Sequence, residues 1–256
     1  MKKIFTLFML LSIFNSQAQI TDIDGNSYDT VRIGTQTWMA ENLNVSRFRN
    51  GDVISEARTR SQWIKACKTQ QPAWCYYKNK KKNGEKYGKI YNYFAVHDQR
   101  GLAPENWHIG NHDDWYLFID SICGEPVSLS EIPTEDVKNI TSKIKSTNGW
   151  KQGQNGSDSL GFCALPSGLR NNRGFYLERG YQAIWWVEAK YRVSWHSIYD
   201  KDEYDWEINS RNIFYNCENG HWVEFSNDLE PNNEEVCLDI KRKRYRVGYY
   251  VRCLKD

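Results

Sequence analysis

The stretch at residues 87–107, YGKIYNYFAVHDQRGLAPENW, constrains the fold more than any other part of the chain. Aromatic and small residues are interleaved through Tyr87-Gly88-Lys89-Ile90-Tyr91-Asn92-Tyr93-Phe94-Ala95-Val96, which predicts a strand running into a turn. Gly101-Leu102-Ala103-Pro104-Glu105-Asn106-Trp107-His108 then predicts a rigid loop feeding a helix. No side chain in the stretch is marked as a catalyst. Its aromatic surface needs a core around it, since one large apolar side chain gains about 1.5–3 kcal/mol on full burial.

The remaining pattern predicts an α+β order, with helices early and short strands late. Residues 30–39 alternate enough for one strand, after a turn at Asp24-Gly25-Asn26. Asn111 is placed to cap a helix with Trp115, Phe118, Ile119 and Ile122 on one face and Gly124 as its stop. Thr134 is placed to cap a second, with Val137, Ile140 and Ile144 on the core side and Asn148-Gly149 closing it. Strand-like runs follow at 161–165, 174–177, 183–187, 213–215 and 249–253. The expectation is two helices on a small, mostly antiparallel sheet, with the chain ends close together.

Lys2 and Lys3 precede an apolar run at residues 4–14 and then Ser16-Gln17-Ala18, the layout of a signal peptide cleaved after Ala18. The run is too short for the ~20 residues that span a bilayer, and no later segment is apolar enough to span one. A secreted, cell-surface or periplasmic protein is expected, with residues 19–256 forming one domain. The chain carries 34 basic and 32 acidic residues, and the two leader lysines account for the difference. That balance gives no reason to expect nucleic acid. The basic clusters at 78–82 and 241–244 read as solvated turns or strand edges, because neither is interleaved with aromatics.

Seven cysteines remain after the leader, and export permits disulfides. Cys217 and Cys237 flank a polar segment that cannot build its own core, which makes them the expected staple. Cys75 with Cys253 is expected to tie the ends of the domain together. Cys67, Cys123 and Cys163 are left open. No C-x-x-C or paired-histidine spacing suggests zinc.

Ile33-Gly34-Thr35-Gln36-Thr37-Trp38-Met39-Ala40-Glu41-Asn42-Leu43 resembles the opening motif of the Fibrobacter succinogenes major paralogous domain family. Residues 87–96, Leu102-Ala103-Pro104 with Trp107-His108, Trp115, Gly161-Phe162 with Ala164-Leu165-Pro166-Ser167-Gly168, and Val251-Arg252-Cys253 follow in that family's order. The resemblance implies export and a C-type-lectin-like fold, and it leaves activity open. Cys163, Asn106 and Gly110 depart from the family's usual small residue, glycine and proline. A further departure is an insertion at about 200–243, rich in Asp, Glu, Asn and Trp, and variable loops on a rigid scaffold commonly carry recognition.

Trp38, Trp107, Trp115, Trp150 and Trp185 are expected in the core, whereas Trp206 and Trp222 in the insertion are candidates for sugar stacking. Glu230-Pro231-Asn232 and Asp239 are similar to the segment with which C-type lectins hold calcium and sugar hydroxyls. The Trp-Asn-Asp that should follow is replaced by Lys241 to Tyr245, whose cationic side chains disfavour calcium. Trp206, Trp222, Glu230, Asn232 and Asp239 are therefore the expected ligand-binding residues, with no cofactor. Ser167 lacks the G-x-S-x-G context of an esterase nucleophile. A distant fold relation to formylglycine-generating enzymes directs attention to Cys163 and Cys253, though no catalytic motif flanks either. The expected function is non-enzymatic binding of a glycan or surface protein. The alternatives are an exported polysaccharide-acting enzyme and a structural envelope component.

Overall fold

The computed structural model describes residues 19–126, 134–151, 153–188, 214–217, 220–226 and 247–256. The first part of the chain runs through β1 (Ile20–Thr21), β2 (Ser27–Tyr28), β3 (Thr30–Ile33), β4 (Gln36–Met39), β5 (Ser55–Glu56), α1 (Arg60–Lys68) and β6 (Ala73–Cys75). A 3₁₀ turn at Tyr77–Asn79 leads to α2 (Lys81–Tyr87), β7 (Ile90–Asn92), α3 (Tyr93–Val96), β8 (Trp107–Ile109), α4 (His112–Cys123) and α5 (Thr134–Ile144). The strands β9 (Leu169–Arg170), β10 (Tyr176–Leu177), β11 (Gln182–Val187), β12 (Phe214–Cys217), β13 (Gly220–Ser226), β14 (Gly248–Tyr249) and β15 (Cys253–Lys255) complete it.

The α+β class holds, but the expected two helices become five among the described residues, and one small sheet becomes four. Six strands run in the order β10-β9-β14-β7-β6-β5, antiparallel except for the β5–β6 pair. A second sheet, β3-β4-β15-β8, brings the C-terminal strand beside the opening motif through Leu254 opposite Trp38. β11-β13-β12 form a third, and β1–β2 a fourth.

Strands with period-two side chains feed two apolar layers, one on each side. Trp38, Cys75, Ile90, Trp185, Tyr250 and Leu254 enter one layer. Their chain neighbours Met39, Trp74, Tyr91, Trp186, Tyr249, Val251 and Cys253 enter the other. Because both faces are covered, these strands read as continuous apolar runs without polar alternation. All five motif tryptophans are buried, as their apolar bulk requires.

The helix at Asn111 forms as its sequence predicts. Asn111 Oδ1 accepts from the backbone of Asp113 and Asp114, Asp114 returns a carboxylate to the Asn111 N–H, and Gly124 closes the helix at φ +84°. Trp115, Phe118, Ile119 and Ile122 enter the first layer with Ile140 and Ile144 of α5.

Three local expectations are corrected. Residues 30–39 form a hairpin, not one strand, with the turn at Gly34 in the left-handed region at φ +58°. Residues 161–165 contribute one bridge, Ala164 to Lys145, and no strand. Residues 249–253 split between two sheets, with Tyr249 ending β14, Cys253 opening β15 and the buried Arg252 between them. The leader at 1–18 lies outside the described residues. Among those described, no helix is long and apolar enough to cross a membrane.

Candidate functional site

Three turns distant in sequence meet around an open cavity of about 470 Å³. That volume lies within the ~300–1,000 Å³ of ordinary ligand pockets. The first turn ends at Thr59, whose hydroxyl accepts from the Gln62 N–H while Gln62 returns its amide oxygen to the Thr59 N–H. This capping box starts α1 and sets Arg60 at its first position, two residues after Arg58.

The second is the β9–β10 hairpin. Asn171 Oδ1 accepts from the N–H groups of Arg173 and Phe175, and Gly174 turns the chain at φ +76°. The Arg60 guanidinium carbon then lies 4.1 Å from the centre of the Phe175 ring, while Arg60 Nε donates to the Arg173 carbonyl. Phe175 remains 47% exposed, and Leu177 beside it is also exposed.

The third is the 3₁₀ turn. Lys78 and Asn79 take φ of +53° and +55°, which costs a non-glycine residue about 1–2 kcal/mol. Asn79 offsets that cost with its side chain, which donates to the Arg58 carbonyl and accepts from the Tyr176 hydroxyl at 2.8 Å. One amide thus locks all three turns together and leaves the Lys78 side chain at the cavity wall.

Arg170 forms the floor. It is buried, sandwiched at 4.8 Å between the Trp63 and Tyr176 rings, and donates to the carbonyls of Ala57, Thr59 and Gly174. Among the described residues, the lining carries four cations and no carboxylate. Beside the lining, Glu56 pairs with the outward-lying Arg58 at 2.9 Å, and Glu178 follows the lining residue Leu177. The arrangement is an anion-attracting pocket with an aromatic wall.

The expected ligand residues are, with one exception, not among those described. Trp206, Glu230, Asn232, Asp239 and Cys237 are outside the described residues. Cys217 falls on β12, and Trp222 falls on β13, in register with Trp186. The hairpin of the insertion therefore adds to the edge of β11. No group of three or more His, Cys, Asp or Glu side chains suited to a metal exists among the described residues.

The expected Cys75–Cys253 bridge does not form. Both thiols are free, and they occupy opposite apolar layers, Cys75 on β6 and Cys253 on β15. Burial also raises both above the ordinary thiol range, which opposes the thiolate a nucleophile needs. The half-buried Cys163 is raised for the same reason. Ser167 is fully buried, and its hydroxyl has no partner among the described residues.

Other ionisable groups are committed to structure. Arg252 is fully buried and donates to Asn42 Oδ1 and to the carbonyls of Met39 and Phe162, and burial pushes it down to about 10. Lys89 is pushed down to about 8 by burial, with its ammonium on the Asn44 carbonyl and 4.7 Å over the Trp74 ring.

The basic run at 78–82, read from the sequence as a solvated turn or strand edge, supplies Lys78 to the wall, but its partners Arg58, Arg60 and Arg170 are single residues up to about a hundred positions away. No local pattern joins them.

These features define an α+β domain with two aromatic layers and a cationic surface pocket. The chain belongs to the Fibrobacter succinogenes major domain family, whose model matches residues 31–255. No protein of curated function and no solved structure matches it.

Proposed function

We propose that the protein is an exported, non-enzymatic binding domain that holds a glycan or protein partner at the cell surface or outside the cell. The observation that carries this reading is the cavity itself, whose lining places four cations beside an exposed aromatic ring. Such a wall supplies orientation and affinity to an anionic or ring-bearing ligand. A relation to C-type-lectin-like domains is part of the proposal, as is export through the leader at 1–18. The hairpin of the insertion, with Trp222 beside β11, is proposed to extend the binding surface.

The test is a pull-down of polysaccharides and surface proteins with the full chain after its leader, run with and without calcium. Specific capture of either class, without chemical change to the captured material, supports the reading. Shortening of a polysaccharide during the incubation overturns it in favour of an enzyme.

A further inference from the structure

Resting on the binding reading above, we propose that the cavity between the Thr59, Lys78 and Gly174 turns binds an acidic sugar unit of a polysaccharide, a hexuronate or a sulfated hexose. Its anion would meet Lys78 and Arg60, and its apolar ring face would pack on Phe175.

The charge argument comes first. Arg60 uses only Nε, and among the described residues its terminal nitrogens have no partner. The exposed Lys78 ammonium has no hydrogen bond or ion pair there either. Beneath them Arg170 is held by three carbonyls and forms no salt bridge among the described residues, so its guanidinium adds to the positive field of the cavity. A planar guanidinium presenting two free nitrogens matches a carboxylate or sulfate with parallel hydrogen bonds. A neutral sugar would leave these donors with weaker acceptors.

Shape supplies the second argument. Arg60 covers one side of Phe175, and the exposed part of the ring, continued by Leu177, forms an apolar step at the edge of the charged wall. Acidic sugars carry both features at once, a flat C–H face and an anion a few bonds away. Acidic peptides lack the flat face. Nucleic acid needs a longer basic track than one pocket supplies on a chain of balanced charge.

The geometry is also maintained at a cost. Two consecutive non-glycine residues, Lys78 and Asn79, are held in the left-handed region by the Asn79 side chain. Strain of this kind persists where the surrounding structure over-determines it, as it does at ligand sites.

The experiment titrates the full chain after its leader with polygalacturonate and alginate, which carry carboxylates, and with chondroitin sulfate. Neutral dextran and arabinoxylan, polyglutamate and single-stranded DNA are run alongside. The expected result is binding of at least one acidic glycan, weakened about tenfold by Lys78→Glu and by Phe175→Ala, with melting temperatures unchanged. Binding should fade towards about 1 M salt, where the screening length is ~3 Å. If the carboxylate or the sulfate glycans alone bind, the anion is identified and the proposal stands.

Neutral glycans bound as tightly as acidic ones would overturn the acidic-sugar assignment and leave the binding function standing. Polyglutamate or DNA bound as tightly would overturn it as mere polyanion attraction. Acidic glycan binding indifferent to both substitutions would move the site elsewhere and overturn the assignment of this cavity. Failure to retain any glycan or protein would remove the binding function itself.

Discussion

A Cβ atom placed on Gly174 would lie 2.8 Å from Cγ of Arg60, closer than side chains pack. Gly174 is thus needed twice, for its φ of +76° and for the room it leaves the arginine stem. Gly25 has a similar φ of +82° with nothing near the same position. Gly174→Ala should therefore cost more than Gly25→Ala, which carries only the backbone penalty of about 1–2 kcal/mol. Thermal melts of the two variants check the difference, and Gly174→Ala should also weaken binding at the cavity.

Arg252 satisfies Asn42 and two backbone carbonyls from a fully buried position, stacked 4.5 Å from the Phe162 ring. Lysine keeps the charge but lacks the fork that reaches these acceptors together. Arg252→Lys is expected to destabilise the chain by about 2–4 kcal/mol, read from the denaturant midpoint. A loss below about 1 kcal/mol would mean that the pocket around Arg252 refills with water.

His108 gives the fold a pH dependence. Its Nε2 meets Asp114 at 3.0 Å and its Nδ1 meets Asp256 at 2.7 Å, and the Asp114 hydrogen bond is the main cause of its raised pKa. A raised folded-state pKa contributes stability that is fully present below the unfolded value of about 6.5 and is lost as pH rises through the folded value. Wild type should therefore lose stability on moving from pH 6 to above the folded value, relative to His108→Ala. Parallel slopes for the two proteins across that window would contradict this assignment.

Native alkylation should separate the thiols by burial. Cys163 is half-buried and should react in the folded protein, whereas the buried Cys75 and Cys253 should react only on unfolding. Peptide mapping after a short iodoacetamide pulse reads the order. A Cys75–Cys253 cross-link found in the oxidised protein would contradict the two-layer placement.

For the insertion, Trp222→Ala should lower affinity for a captured partner by a few-fold, consistent with the loss of about 1 kcal/mol of aromatic contact. A chelator should change it less, because the cationic residues 241–244 stand where calcium would need oxygen ligands. Equal affinity of wild type and Trp222→Ala would reduce the hairpin to a structural addition on β11.

The α4 helix was legible in the sequence because its information is local: a cap at Asn111, a stop at Gly124, and apolar residues three and four apart. The helices α1 and α2 were not, although Thr59 and Gln62 form a capping box. Only Trp63 and Cys67 of α1 are buried, so its apolar period is faint. α2 buries Gly84 alone, whose Cβ would fall 2.0 Å from the Tyr76 ring. That helix rests on a close approach, which no hydrophobic period reports. The hairpin at residues 30–39 was hidden because its two arms continue one alternating pattern through Gly34.

The sequence by itself determined the family, the α+β class, the burial of the motif tryptophans and the ends of α4, since each follows from adjacent residues or an ordered set of motifs. Tertiary structure decided the rest. Which thiols face each other depends on the side of a strand, and a shift of one residue exchanges the two layers that separate Cys75 from Cys253. The cavity exists only where turns near residues 58, 78 and 174 converge, held by one asparagine and one buried arginine. Charges far apart along a chain acquire a common field only when folding brings them within a few ångströms.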